Sequence, residues 1–282
     1  MSSTLSSRYW ADWSTSDFGL AGSMGTLEQT IAVLPVAATE QHGPHLPLRV
    51  DSTLVDGIVN ASLAHLSPAV HALFLPTQAI GLSPEHMAFS GTLTLKAGTV
   101  IRLWTDIAES VAASGVNKLV LFNSHGGQAG LLDVVARDLR ARLGMLVYSV
   151  NWYALPLEDE QGDDVNKLFS DHEHRYGIHA GDMETSMMLA IAPEQVDMTQ
   201  AANFASTSEH RAQNCPILGN GKSAKLAWQM QDYNAQGAVG NATAATAGKG
   251  EAVVRAAGRA LARLLTEIHS LPSDTLRVRH KV

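Results

Sequence analysis

Short apolar, β-branched runs alternate along the chain with longer stretches in which apolar residues recur every three to four positions. Thr30 to Val36 (TIAVLPV), Val70 to Leu75, Lys118 to Phe122 (KLVLF) and Met145 to Val150 read as buried strands. Between them, Ser52 to Leu66 places Leu54, Val55, Ile58, Val59 and Leu63 at helical spacing. Thr99 to Ser114 does the same with Val100, Leu103, Ile107 and Val111, and stops at Gly115, a residue suited to a left-handed helix end. Helices are also expected over Ala129 to Leu143, Asp182 to Ile191 and Glu251 to His269. Strand, crossover helix and strand in repetition predict an α/β fold with a parallel or mostly parallel sheet covered on both faces. Ligands of such sheets bind beyond the carboxyl ends of the strands. Leu155 to Gly177 is polar and acidic and reads as a surface excursion or a subunit contact. With no repeat and no linker, residues 1–282 are expected to form a single domain.

Composition narrows the function classes. The net charge of -7 offers no basic footprint for nucleic acid and no polybasic patch for a membrane surface. No run approaches the roughly 20 apolar residues of a membrane span, and the N-terminus lacks the pattern of a secretory signal. Cys215 is the one cysteine, which excludes an internal disulfide and suits a cytoplasmic setting.

Three polar clusters carry candidate chemistry. Glu40, His42, His45 and Asp51 fall within 12 positions of one another just past the first strand. If strand geometry persists there, Glu40 and His42 project to one side. Carboxylates with imidazole suit Zn, Mn or Fe; the competing reading is a polar loop with Asp51 as a helix N-cap. The second cluster, Asn123-Ser124-His125-Gly126-Gly127-Gln128, follows the strand KLVLF, and its glycines let the backbone approach a ligand. The third, Gly177 to Ser186, brings His179, Asp182 and Glu184 into the entry of a helix. Asp182 and Glu184 are two apart and do not share a helix face, so at most one binds the same ion. Glu184 is the candidate ligand, and Asp182 reads as a carboxylate favoured by the helix dipole.

Taken together, LPVAATEQHGPHLPLRVD, GLSPEHMAFSGTLTL, NSHGGQ and HAGDMETSMML, with a weaker GAVGNATAATAGKGE, resemble the creatininase (creatinine amidohydrolase) family in order and over most of the chain. The resemblance implies a three-layer αβα sandwich, a homohexamer, and hydrolysis of an amide, cyclic amide or formamide C–N bond other than a peptide bond. It implies two divalent ions per subunit: Glu40, Asp51 and His125 would hold one, His42 and Glu184 the other, with Asp51 bridging. A hydroxide between the ions would attack the substrate carbonyl. His179 would carry the proton to the leaving nitrogen. Ser83, His86, Gly126, Gly127 and Trp152 would face a small-molecule amide substrate, and His45 would line the same pocket. Two departures point away from creatinine itself. Ile178 stands where creatininase carries Glu before the proton-carrying His, and NSHGGQ replaces an NGHYEN-like segment, leaving Gly127 where a carboxylate is expected. The alternatives are a non-catalytic metal-binding or scaffold member, or a metal-dependent lactone hydrolase or isomerase on the same residues.

Overall fold

Strand β1 (Ile31–Val36) is buried at all six positions and has neighbours on both edges. The structure, a computed structural model, describes residues 7–277. β1 pairs in parallel with β2 (Ala72–Phe74) on one side and with β3 (Lys118–Asn123) on the other; β3 pairs in parallel with β4 (Leu146–Asn151). The sheet order is β2-β1-β3-β4. Alternation along each strand divides the core in two. Ile31, Val33, Val120 and Phe122 join one apolar cluster, and Ala32, Leu34, Leu119 and Leu121 the other.

Six helices cover these faces: α1 (Thr15–Ser23), α2 (Val50–Leu63), α3 (Ala97–Ala113), α4 (Ala129–Leu143), α5 (Asp182–Ile191) and α6 (Ala247–Ser270). α2, α5 and α6 pack on one face; α1, α3 and α4 pack on the other. The result is a mostly parallel sheet between two helical layers, as expected. α6 approaches α5 and α2 closely because Gly250 lies against the backbone of Ser186 and Gly258 against Ala61, where a Cβ would collide.

The topology creates the crevice. From β1 the chain moves outward to β2 over one face, by way of α2; from β3 it moves outward to β4 over the opposite face, by way of α4. The carboxyl ends of β1 and β3 are therefore a switch point, from which neighbouring strands send their chains in opposite directions.

The structure departs from the sequence pattern in three places. α2 starts at Val50, and its N-cap is Arg49, so Asp51 lies inside the first turn and is not the cap. The segment 155–177 is no mere surface excursion: Leu157, Val165 and Phe169 enter the core beneath α6, and Glu173 is buried. Polar residues dominate its composition because the few apolar ones that anchor it are spaced too widely to form a periodic pattern. Helix α1 and an antiparallel pair, β5 (Asn203–Phe204) with β6 (Gly240–Asn241), were not anticipated from periodicity. Among the described residues no helix is long and apolar enough to cross a membrane.

Candidate metal centre

Glu40 and His42 follow β1, Asp51 occupies the first turn of α2, and His125 follows β3; all four are buried. The chain beyond Val36 is irregular, so their convergence comes from the turn at Gly43 (φ 69°) and not from strand alternation. Asp51 is fastened by its own carbonyl, which accepts Ser124 Oγ at 2.7 Å, tying the start of α2 to the loop after β3. Glu184 arrives from the opposite side, in the first turn of α5. Between His179 and Glu184 the chain passes through Ala180, a buried non-glycine residue at φ 55°, whose N–H donates to Glu184 Oε2 at 2.5 Å. A left-handed alanine is strained by about 1–3 kcal/mol, and such strain collects at functional sites.

Three sets of potential ligand atoms each lie within 4.8 Å of one another: Glu40 with Asp51 and His125, His42 with His179 and Glu184, and Glu40 with His86 and His179. All five residues expected to hold ions are thus brought together: Glu40, Asp51 and His125 in one group and His42 with Glu184 in another, which His179 joins and Asp51 does not. His179, expected as a proton carrier, comes within ligand range as well. Hydrogen bonding settles which ring nitrogens face inward. His42 Nδ1 donates to Glu40 O at 3.0 Å, leaving Nε2 inward; His125 Nε2 lies 2.9 Å from Leu82 O, leaving Nδ1 inward, 3.2 Å from Glu40 Oε1. His179 Nε2 donates to Gln41 O at 2.8 Å. Gln41 Oε1 accepts from Gly43 N, so its Nε2 is the donor to His86 Nδ1 at 2.7 Å. His86 then presents Nε2–H to Glu40 Oε1, 3.3 Å away.

Four buried atoms of this region lack any hydrogen-bond partner: Glu40 Oε2, His42 Nε2, Asp51 Oδ2 and His45 Nδ1. The first three belong to expected ligands. Buried polar atoms are almost always paired, so three unpaired acceptors spread over two adjoining groups of ligand-type atoms fit bound cations.

The proton affinities of the protein alone say the same. Asp51 is pushed well above the usual carboxylate range by burial and by the neighbouring charge of Glu40. Glu184 is raised by burial. Burial would raise Glu40 too, but the imidazoles of His125, His86 and His179 hold it far down. His125 is lifted well above an ordinary histidine because Glu40 and Glu85 outweigh its burial. His179 falls to about 4 and His86 to about 2, both chiefly through burial and then through neighbouring imidazoles. Crowded carboxylates that must share protons are the state a divalent ion relieves.

Beyond the cluster lies a cavity of about 700 Å³. His86, Gly126, Gly127 and Trp152 line it, as expected of residues facing a substrate. Ser83 does not: it is fully buried behind His125, its Oγ 3.3 Å from Nε2. His45 also turns away, bonding Thr185 Oγ1 at 2.9 Å and stacking on Phe204. Asp182 is outside the centre, 2.7 Å from Lys249 Nζ at the start of α5, in keeping with a helix-terminal carboxylate. The segment 155–177 lines this chain's own pocket through Asn166, Glu173 and His174.

Other lining residues escaped the sequence reading. Glu85 stands between two residues singled out from one motif, and its charge was the available signal. Tyr153 follows Trp152 directly and crosses its ring edge-on at 5.9 Å. Trp228 comes from the irregular stretch before β6 and meets His86 edge-on at 6.2 Å; that stretch has no periodicity to mark it.

Residues 23–265 match the family model described as creatinine amidohydrolase. The chain is 31% identical over 228 residues, 78% of each chain, to a mycofactocin precursor peptide peptidase of Mycobacterium ulcerans. It is 28% identical over 185 residues, 61% of this chain and 68% of the other, to the creatinine amidohydrolase of Pseudomonas putida. A solved creatininase structure in a manganese form superposes with a TM-score of 0.71 at 22% identity, covering 94% of this chain and all of the other. The matched span contains every residue of the cluster, and the chain belongs to the creatininase family.

Proposed function

We propose that the chain is a two-ion amide hydrolase working at the floor of the 700 Å³ cavity. Glu40, Asp51 and His125 would hold one divalent ion, and His42 and Glu184 the other, with Asp51 between them. The observation that carries this reading is the set of unpaired buried atoms, Glu40 Oε2, His42 Nε2 and Asp51 Oδ2, within a cluster of ligand-type groups. Zinc and manganese forms of solved creatininases support the choice of ion class. Such ions would supply Lewis acidity and a water that ionises near neutral pH.

The chain's own residues supply the rest. His86 Nε2 stands 3.3 Å from Glu40 Oε1, while Oε2 is the Glu40 oxygen with no partner in the chain. His179 is neutral at pH 7, with its Nε2–H committed to Gln41 O, so Nδ1 is the nitrogen free to accept a proton and return it to a leaving amine. Trp152, Tyr153 and Trp228 wall the cavity with aromatic surface, and Ile178, Met183 and Leu226 add apolar surface. Pockets of 300–1,000 Å³ enclose drug-sized ligands. The space and the apolar walls, with a peptidase among the relatives, favour an amide within a larger, peptide-like molecule over a small cyclic amide such as creatinine.

Elemental analysis of chelator-free protein tests the centre first, with about two first-row transition ions per chain expected. The loaded protein is then offered short peptides, formamides and creatinine, and released amine is measured. Preference for peptides supports the substrate assignment; creatinine turnover of equal efficiency would overturn it. Loss of all hydrolysis with ions bound would move the chain to the non-catalytic alternative.

A further inference from the structure

Glu85 brings a carboxylate to the centre that the ligand set does not use. It sits in the short turn Pro84–His86, and its side chain is 11% exposed. Its Oε1 lies 3.4 Å from Nε2 of His125, on the side of the ring opposite Nδ1, and it also lines the cavity. It can stand there only because residue 127 has no side chain. A Cβ on Gly127 would collide with Glu85 Oε1 and with His125 Nε2. The loop NSHGGQ and the turn at Glu85 are therefore fitted to each other.

The three inward-facing imidazoles differ in what supports their outer nitrogens. His42 Nδ1 is bonded to the Glu40 carbonyl and His179 Nε2 to the Gln41 carbonyl, both neutral acceptors. His125 Nε2 has the Leu82 carbonyl at 2.9 Å and Ser83 Oγ at 3.3 Å, and it alone of the three also faces a carboxylate. A negative charge behind a ligating imidazole makes its inner nitrogen a stronger donor to a metal and fixes the plane of the ring.

We infer that Glu85 is a positioning residue for His125, and that it makes the ion position formed by Glu40, Asp51 and His125 the tighter of the two. The inference rests on the two-ion reading. Glu85 acts through the ring of His125 and not as a ligand, since its carboxylate joins none of the three groups of ligand atoms.

The test uses the full chain stripped of metal and titrated with Zn²⁺ against a chromophoric chelator, then with Co²⁺ while visible absorption is followed. Wild type should bind two ions with unequal affinity. Glu85→Gln keeps the size of the side chain and removes its charge. It should weaken the tighter position by about tenfold or more, leave the other within about twofold, and shift the absorption of the first Co²⁺ equivalent. Glu85→Asp should recover part of the affinity. Gly127→Ala, which drives a methyl group into the same two atoms, should reproduce the loss. Two unaltered affinities in Glu85→Gln, or equal weakening of both with a lowered Tm, would overturn the inference and leave Glu85 a packing role. Wild type that binds no ion would instead overturn the two-ion reading, before any Glu85 variant is compared.

Discussion

Two groups of buried carboxylates lie on either side of the start of α5, and they are built on opposite principles. In one, Glu173 accepts Asp182 N at 2.6 Å and Asn241 N at 2.9 Å. Asp182 accepts Ser186 Oγ at 3.0 Å and Lys249 Nζ at 2.7 Å, and Lys249 also reaches Ala244 O. Both carboxylates have partners within the chain. In the other group, Glu40 Oε2, Asp51 Oδ2 and His42 Nε2 have none. The first group binds the segment 155–177 to α5 and to the strand β6; it is complete as folded. The second costs folding energy as it stands, because unpaired buried polar atoms lose hydration without return, and it becomes favourable only with a cation. Burial alone does not mark a site; several unpartnered ligand-type atoms gathered in one cluster do.

The sharpest way to break this contrast is Asp51→Ala. With Asp51 as the shared ligand, ion content should fall from about two per chain to one or none, and turnover by roughly 10³-fold or more, a loss of about 4 kcal/mol in transition-state stabilisation. The metal-free variant, freed of one crowded carboxylate, should melt no lower than metal-free wild type. Elemental analysis, turnover and calorimetry on the same preparations decide it. A fully loaded Asp51→Ala protein, or one whose metal-free form is greatly destabilised, would place Asp51 with the structural carboxylates.

Glu173→Ala should behave in the opposite way. It strands two backbone N–H groups in a buried setting, at about 1–3 kcal/mol each, so the expected loss of stability is about 2–6 kcal/mol, with two ions still bound. Its Tm should drop by roughly 2–4 °C per kcal/mol for a chain of this size. Gly177, Gly181 and Gly240 crowd the carboxyl so closely that a Cβ on any of them would strike it, so the site cannot close around the shorter side chain without backbone movement.

Much of the second group was legible in the sequence because its residues sit beside strong signals. Glu40 and His42 follow a run of apolar residues that reads as a strand, and His125 follows another, so the ends of two neighbouring strands locate the crevice. Helix spacing allows at most one of Asp182 and Glu184 at the same ion, and the helix dipole accounts for Asp182, which the structure turns toward Lys249. What periodicity cannot express is contact between distant, irregular segments. Ser83 and His45 lie in motifs with the right chemistry, yet the fold turns Ser83 behind His125 and His45 onto Phe204. Glu173 was invisible for a related reason: its partners are backbone N–H groups 9 and 68 positions away, which no residue type announces. Glu85 needed the absent side chain at Gly127 to be seen as an opening.

The stability of the metal-free protein should also depend on pH through the buried imidazoles of the centre, whereas in the satisfied group burial raises the carboxyl of Glu173 and gives a loss only as pH rises. His42, His45, His86 and His179 all have lowered folded values, burial being the largest cause for each. The unfolded chain therefore binds more protons as pH falls through 6.5, and stability falls with it. His125 has a raised folded value, set by Glu40 against burial, so its contribution is present below 6.5 and lost as pH rises through that folded value. Asp51, raised by burial and Glu40, adds loss in the same upward direction from 3.8. Metal-free protein should thus have its highest Tm near pH 6.5 and decline by several degrees on each side. Ion-loaded protein should decline on the acid side and hold a plateau above, since ligands bind deprotonated and the ion replaces their protons. Melting curves from pH 5 to 9, with and without Zn²⁺, test the sign on each limb. A metal-free curve that rises steadily above pH 6.5 would contradict the crowding of the centre.

The smallest effect expected lies at the outer edge of the satisfied group. Lys249 is 24% exposed and Asp182 6%, so their pair is partly screened by solvent. Lys249→Met keeps the apolar stem and removes the charged nitrogen, which also lies 5.3 Å from the centre of the Phe169 ring. Asp182 would retain Ser186 Oγ, so the expected cost is about 1–2 kcal/mol, below that of Glu173→Ala. Combining it with Asp182→Asn should recover part of the loss, because the stranded charge goes with its partner, and the double-mutant cycle isolates the pair. Neither change should alter ion affinity, although Asp182 is two residues from Glu184. That independence is the substance of the comparison: a carboxylate whose partners are all in the chain transmits its loss to stability, and one whose partner is an ion transmits it to binding. A shift of Zn²⁺ affinity by more than about threefold in Lys249→Met would show that the two groups are one network, coupled through the first turn of α5.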